Sequence, residues 1–214
     1  MKIETASIIL GSGLNPDQKI QFDSRISDVV LNYSNYSKSI LVVDKEMSEN
    51  ILALEFNLLV DVLLLDSPCK GALATLVLAA AELPEELPIL ALPINSTINA
   101  AIVSEFVQSM KLANADAAII VFRSNNPELS YVRSDDLGNV VEIAEKLIIS
   151  ELATAGVFFF KNKKIIIDCA KWAMKNNVIF NNKFYIAPSL NFLLTTSQSL
   201  KMVEIEDSEY HRFA

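Results

Sequence analysis

Histidine and cysteine are scarce in this sequence. Its 214 residues include one histidine, His211, and two cysteines, Cys69 and Cys169. A single histidine excludes a catalytic triad with a histidine base and a metal site made of several histidines. The two cysteines are isolated, so they form neither a Cys-x-x-Cys metal motif nor a disulfide framework, and they are typical of a reducing compartment. We therefore expect a cytoplasmic protein.

Basic residues and long apolar runs are also in short supply. The chain has 18 Lys and Arg against 26 Asp and Glu, a formal net charge of −8. This balance disfavours general nucleic-acid binding, whose affinity comes from neutralising phosphates, so any phosphate must be bound locally. No apolar run approaches the roughly 18 residues of a membrane span. The first residues, MKIETAS, contain no apolar core of an export signal, so we expect a soluble protein that is not exported.

Strands and helices alternate along the chain. The short apolar runs at 39–43, 60–65, 88–92 and 116–122 predict strands, and those at 39–43 and 116–122 are typical of buried strands. The helical spacing of apolar residues at 24–33 and 98–112 predicts amphipathic helices between them. Such alternation predicts an α/β fold with a mainly parallel sheet. No internal repeat or linker interrupts it, so residues 1–214 are interpreted as one domain.

Two stretches of the first half have the composition of a nucleotide site. The run ASIIL is followed by Gly11, Ser12 and Gly13, whose backbone N–H groups could approach a phosphate closely, although an ordinary turn explains them equally well. In the segment PCKGALAT, Gly71 opens a helix after a strand, which lets a planar base lie against the backbone. The alternative is a tightly packed helix start.

A hairpin organises the second half. The strand at 131–133, an Asp-Gly turn and a second strand lead to the pair Glu145 and Lys146, and a further strand passes through Gly156 to three phenylalanines. Charged residues at the lip of a sheet are placed to meet a ligand. The alternative is an ordinary solvated edge.

These segments together resemble the bacterial sugar nucleotidyltransferases, in particular the capsule and lipopolysaccharide branch. The segments VVEIAEK, Ile149-Ser150 and ATAGVFFF are similar to that family's EK…IS…ATxGxYYF run, PCKGALAT to PTKGAxxT, and ADAAIIVFRSNNPELSY to ADxxIxxFxSxxPxWSY. The resemblance implies a Rossmann-like nucleotidyltransferase fold, with a mixed, mainly parallel sheet sandwiched by helices. It also implies a nucleotide-binding half at 1–125 and a sugar-phosphate half at 126–214.

The resemblance assigns roles to individual residues. Lys19, which would steady the nucleotide phosphates, and Lys146, which would grip the sugar phosphate, are its catalytic residues. Its partners are a nucleotide or nucleotide sugar and a sugar phosphate. The implied nucleotide-binding residues are Gly11, Ser12, Gly13, Lys70, Gly71, Asn95 and Thr97, and the implied substrate-binding residues are Glu145, Lys146, Thr154, Gly156 and Tyr185.

The sequence departs from the family where that family binds its metal. Thr97 stands at the position of the magnesium-binding aspartate, and a neutral hydroxyl cannot replace a carboxylate as a strong ligand of a hard cation. The first loop has no arginine, Lys183 and Phe192 replace acids, and the family's Gly-Thr-Pro-Glu-Asp-Leu segment does not occur. No metal ligand is therefore assigned, and Mg²⁺ is expected only if the protein is active.

Three hypotheses remain. The first is a catalytically degenerate relative, a pseudoenzyme of surface polysaccharide synthesis that retains nucleotide-sugar or sugar-phosphate binding. The second is an active enzyme that joins a nucleoside triphosphate to a sugar 1-phosphate and releases pyrophosphate. The third is an oligomer or scaffold built on Phe158, Phe159 and Phe160, although alternating phenylalanines can also face opposite helix layers of one core. Whether the chain forms a homo-oligomer is left open.

Overall fold

The computed structural model describes residues 3–12, 35–47 and 60–212. The helix predicted at 24–33 and the predicted site residues Gly13 and Lys19 lie outside the described residues. The described chain forms a nine-stranded sheet and a separate two-stranded sheet. The strands of the large sheet are β1 (Ile3–Leu10), β2 (Tyr36–Asp44), β3 (Asp61–Leu65), β4 (Ile89–Pro93), β6 (Ala117–Arg123), β7 (Ser130–Ser134), β8 (Val140–Glu145), β9 (Leu152–Phe160) and β10 (Leu200–Glu204).

The large sheet is mixed but mainly parallel. Its strand order is β10-β6-β9-β4-β1-β2-β3. Strands β3, β2, β1 and β4 are mutually parallel, and β10 is parallel to β6. Strand β9 is antiparallel to both β4 and β6 and joins these two groups. The sheet is therefore continuous from the first half of the chain to the second.

The hairpin β7–β8 extends from β9, to which β7 pairs in antiparallel fashion. Its turn is the predicted Asp-Gly turn, in which the Asp135 carboxylate accepts hydrogen bonds from the backbone N–H groups of Leu137 and Asn139 at 3.0 and 2.8 Å. Gly138 supplies the positive φ of 79° that this turn needs. The prediction of a hairpin is confirmed.

Helices cover both faces of the sheet, as predicted. One hydrophobic cluster contains Val103, Phe106 and Val107 of helix α2 (Ala100–Leu112), and the other contains residues of α1 (Ala72–Ala81) and α3 (Lys163–Lys175). The phenylalanines of β9 are divided between them, because Phe159 belongs to the first cluster and Phe158 and Phe160 to the second. The three rings are therefore buried on the two faces of the sheet within this chain, as alternating residues of a strand should be. The helices are α1 (Ala72–Ala81), α2 (Ala100–Leu112), α3 (Lys163–Lys175), α4 (Ile186–Ser189) and α5 (Asn191–Leu194).

The two-stranded sheet corrects one predicted boundary. Ile98, predicted as the first residue of a helix, lies in β5 (Ser96–Ile98), which pairs in antiparallel fashion with β11 (Tyr210–Arg212). The helix begins only after Asn99, whose side chain accepts a hydrogen bond from the Ala101 N–H at 2.9 Å. This cap separates strand from helix within two residues. In the part of the chain that the structure describes, no helix combines the length and hydropathy that a membrane crossing would need.

Candidate functional site

A cleft of about 480 Å³ lies where β1 and β4 end. Leu10 and Pro93, the last residues of these two strands, line it, and residues of β9 and the end of β8 complete it. The carboxyl edge of a parallel sheet is where α/β folds place their ligands, because loops and helix starts converge there. In this fold the edge also brings the two halves of the chain together.

The floor of the cleft contains a close approach between two strands. Gly156 has a φ of 77°, and a Cβ atom built on it would lie 3.0 Å from Cγ of Pro93. A side chain at Gly156 would therefore push on Pro93 and into the cleft. Thr154, two residues earlier on β9, lines the same cleft and is 5% exposed. Both residues are among those to which the resemblance assigns substrate binding, and both line the cleft.

The predicted pair Glu145 and Lys146 lines the cleft at the end of β8, and this part of its rim is called the lip below. Lys146 has a positive φ of 50°, and its backbone N–H donates to the carbonyl oxygen of Leu129 at 3.1 Å. Its ammonium group contacts a carboxylate oxygen of Glu128 at 2.9 Å and lies 5.8 Å from the centre of the Phe180 ring. The Glu145 carboxylate accepts a hydrogen bond from the Ser130 hydroxyl. The pair is therefore held by specific contacts instead of being freely solvated.

The charges at this lip influence one another. Burial raises the pKa of Glu145 above its ordinary value, against the opposing effects of the Ser130 hydrogen bond and the Lys146 charge. The hydrogen bond to Glu128 raises the pKa of Lys146. Tyr185 also lines the cleft, and its pKa is raised by burial and then by the negative charge of Glu145. This lip can offer an ammonium donor, a carboxylate acceptor and a neutral phenol to one ligand.

The start of α1 contributes residues that were predicted to bind the nucleotide. Gly71 lines the cleft with a φ of 99°, and a Cβ atom there would lie 2.3 Å from the carbonyl oxygen of Phe184. Phe184 itself is held by a hydrogen bond from its N–H to the carbonyl oxygen of Lys70 at 2.8 Å. Gly71 thus has a packing requirement whether or not a base lies against it. Lys70 is exposed and does not line the cleft.

The remaining predicted residues are divided between the cleft and its surroundings. Ser12 lines the cleft, and its hydroxyl donates to the Asp44 carboxylate at 2.6 Å. Asn95 also lines it. Gly11 is buried behind the cleft, and its missing Cβ would lie 3.0 Å from Ile94. Thr97 does not line it and pairs with His211 in the small sheet.

Many of the lining residues were not predicted from the sequence, and four of these bear directly on the chemistry of the cleft. Glu128 and Ser130 hold Lys146 and Glu145, and Tyr210 and Arg212 reach the cleft from β11. The segment Tyr210–Arg212 alternates as a strand does, but three residues are too few to distinguish a strand from a loop by pattern. Its position depends on pairing with a strand more than a hundred residues earlier, which no local signal reveals.

The described walls do not fit a magnesium ion. Mg²⁺ in proteins is held by carboxylate oxygens. The carboxylates among the described lining residues belong to Glu128, which is bound to Lys146, and Glu145, which accepts from Ser130. Asn95 and Ser96 add only an amide and a hydroxyl. Within residues 3–12, 35–47 and 60–212, no group of three or more His, Cys, Asp or Glu side chains could hold a metal ion.

This sheet order, with its helices on both faces and a cleft at the carboxyl edge, defines a nucleotidyltransferase fold of the Rossmann-like kind. No protein-family model and no curated protein sequence matches the chain. Solved structures do match it over nearly its whole length, at identities that establish the fold alone.

The nucleoside-diphosphate-sugar pyrophosphorylase of Vibrio cholerae RC9 is 16% identical and superimposes with a TM-score of 0.76, covering 96% of this chain and 94% of its own. The inositol-1-phosphate CTP transferase of T. maritima is also 16% identical, with a TM-score of 0.66 over 100% of this chain and 90% of its own. The CMP:2-keto-3-deoxy-manno-octonic acid synthetase, solved with CTP, is 10% identical, with a TM-score of 0.66 over 96% of this chain and 90% of its own.

Proposed function

We propose that this protein binds a nucleotide sugar or a sugar phosphate in the cleft and that it is a catalytically degenerate relative of the sugar nucleotidyltransferases. The observation that carries the proposal is that one cavity is lined both by Glu145, Lys146 and Tyr185 and by Ser12, Gly71 and Asn95. A cationic donor and a hydroxyl-binding carboxylate suit a phosphorylated sugar. The second group, of backbone, amide and hydroxyl, suits a nucleoside.

The side chains have separate roles in this proposal. The Lys146 ammonium group, now 2.9 Å from Glu128, donates to the phosphate of the ligand. The Glu145 carboxylate accepts from a sugar hydroxyl, and Gly156 leaves room for the ring at the floor. Charge on the ligand is balanced by side chains, since the described walls offer no carboxylate set for a metal. A role in surface polysaccharide synthesis is supported by the resemblance of the EK…IS…ATAGVFFF run.

Three structural neighbours support the nucleotide part of the proposal. They are a nucleoside-diphosphate-sugar pyrophosphorylase, an inositol-1-phosphate CTP transferase and a synthetase solved with CTP. At 10–16% identity they carry no residue assignment to this chain.

A ligand screen tests the proposal. A thermal-shift and calorimetric panel of nucleoside triphosphates, nucleotide sugars and sugar 1-phosphates should show binding of at least one phosphorylated sugar. Lys146→Met should weaken that binding about tenfold, because it removes a charge-assisted hydrogen bond. Lys175→Met, at the exposed end of α3, is the matched control and should leave it unchanged. If no phosphorylated sugar binds, the proposal is wrong.

The degenerate part has a separate test. Pyrophosphate release should not exceed background when the same triphosphates and sugar phosphates are mixed with Mg²⁺. Robust turnover would support the alternative, an active enzyme that forms a nucleotide sugar. A carboxylate added by Asn95→Asp enters the cleft, whereas Thr97→Asp does not, because Asn95 lines the cleft and Thr97 does not. We expect the first variant, and not the second, to gain Mg²⁺-dependent triphosphate binding.

A further inference from the structure

Strand β11 is anchored against the rim of the cleft. Tyr210 and Arg212 pair with Ile98 and Ser96 of β5. The Tyr210 ring stacks on Phe122 with 4.1 Å between ring centroids and 28° between planes. Burial raises the pKa of Tyr210, so its hydroxyl stays neutral beside Ser96. Backbone pairing and ring stacking together fix the register of this strand.

That register determines which side chains of β11 meet the cleft. Tyr210 and Arg212 line it, and His211 between them does not. Successive side chains of a strand point to opposite faces, so any strand in this register presents the first and third residues together. The strand register therefore places Arg212, and not His211, at the cleft.

Two cations of the cleft act on one carboxylate. Glu128 is bound by Lys146 at 2.9 Å. That contact is the main cause of the lowered pKa of Glu128, and the positive charge of Arg212 lowers it further. Among the described residues, no carboxylate oxygen lies within ion-pairing distance of Arg212. Arg212 therefore lines the same cleft as the Lys146–Glu128 pair, and its positive charge acts on the carboxylate that Lys146 holds.

We propose that Lys146 and Arg212 form a two-cation site for the phosphate or diphosphate group of the ligand, and that the Glu128 carboxylate occupies this site until the ligand displaces it. The planar guanidinium matches a phosphate with paired donors, and the ammonium group adds a compact charge. The inference rests on the proposed function and adds to it the residue from β11 that recognises the anionic group. Two side-chain cations supply charge balance where the described walls lack metal ligands.

Inorganic pyrophosphate, titrated calorimetrically into the full chain in buffer with EDTA, tests the site without a sugar or a metal. Arg212→Gln should weaken pyrophosphate binding about tenfold, because it removes a charged bidentate donor. Two controls should stay within about twofold of the unmodified chain, since neither side chain enters the cleft. They are His211→Asn, on the opposite face of the same strand, and Arg133→Gln, whose partner is Glu142.

Glu128→Gln should strengthen pyrophosphate binding several-fold, because the neutral amide no longer competes for the two cations. An unchanged affinity in the Arg212 variant, absent pyrophosphate binding by the unmodified chain, or weaker binding in the Glu128 variant would each overturn the two-cation site. Such a failure is distinct from failure of the proposed function. A chain that binds phosphorylated sugars through Lys146 but ignores Arg212 retains the function and loses this inference. A chain that binds pyrophosphate through Arg212 but binds no phosphorylated sugar retains this inference and loses the proposed function.

Discussion

Replacing Gly71 by alanine should destabilise the protein more than replacing any other described glycine that lies in a turn. Gly71 has a φ of 99° and a ψ of 170°, a conformation essentially confined to glycine, which costs an alanine at least about 1 kcal/mol. Its new Cβ would also lie 2.3 Å from the Phe184 carbonyl oxygen and 2.8 Å from the Phe184 nitrogen. Both of those atoms belong to backbone, so the segment at Phe184 must move away.

Moving that segment disrupts two hydrogen bonds. The Phe184 N–H donates to the Lys70 carbonyl oxygen at 2.8 Å, and the Leu73 N–H donates to the Phe184 carbonyl oxygen at 3.2 Å. At about 1 kcal/mol for each bond, the total loss in the free energy of unfolding is about 3 kcal/mol. Gly138→Ala is the matched control, because its φ is 79° and nothing lies within 4 Å of the new Cβ. The Gly138 variant should lose only the cost of placing alanine in a positive-φ conformation, about 1 kcal/mol of the free energy of unfolding.

Urea unfolding followed by circular dichroism measures both variants. With a slope of about 2 kcal/mol/M, the Gly71 variant should unfold about 1 M earlier than the Gly138 variant. Equal midpoints would refute the argument that Phe184 requires a glycine at this position. The glycine would then be explained by ligand contact, and the Gly71 variant should lose ligand affinity at unchanged stability.

Three further predictions follow from local contacts. Native protein should react with one equivalent of a thiol reagent at pH 8, because Cys69 is half-exposed in the cleft while burial raises the pKa of Cys169 to about 12. Asn191→Ala should cost about 2 kcal/mol in urea unfolding, because the Asn191 side chain bonds both the N–H and the carbonyl of Ile143, at 3.0 and 2.7 Å. Glu145→Gln should stabilise the protein at pH 7 and not at pH 4. The raised pKa of Glu145 means that its stability contribution is complete below the ordinary value of 4.5 and is lost as the pH rises through the folded value.

Each of these has an opposing outcome and a control. Two equally fast thiols would mean that the second cysteine is accessible, and Cys69→Ser should remove the fast reaction. An Asn191 variant as stable as the unmodified chain would show that β8 does not need the side-chain bridge. A Glu145 variant whose stability gain persists at pH 4 would place the effect in packing instead of charge, and Glu142→Gln, on the same strand, supplies the comparison.

The strands were readable because they are buried on both faces. Apolar runs at 39–43, 88–92 and 116–122 predicted strands, and the structure places β2, β4 and β6 there. The Asp-Gly turn was equally predictable from the sequence, because its geometry depends on residues within a few positions of one another. The apolar runs and the turn residues therefore predicted individual elements, and the resemblance implied the fold that these elements form.

The candidate site was only partly predictable. Glu145, Lys146, Thr154, Gly156 and Tyr185 were singled out and do line one cleft. Glu128 and Arg212 were not, because their importance comes from neighbours that are distant in the sequence. Gly71 was singled out for a ligand, and the structure adds a second reason for it in the backbone of Phe184.

Composition and pattern already predicted an acidic α/β protein with one histidine, in which any phosphate would have to be bound locally. These properties follow from side-chain chemistry and from the periods of helices and strands, which are short-range. The tertiary structure decided that β11 lies on β5, that Thr97 turns away from the cleft, and that Lys146 and Arg212 act on one carboxylate. Those facts depend on which distant segments pair, and pairing is chosen by the packing of the whole sheet.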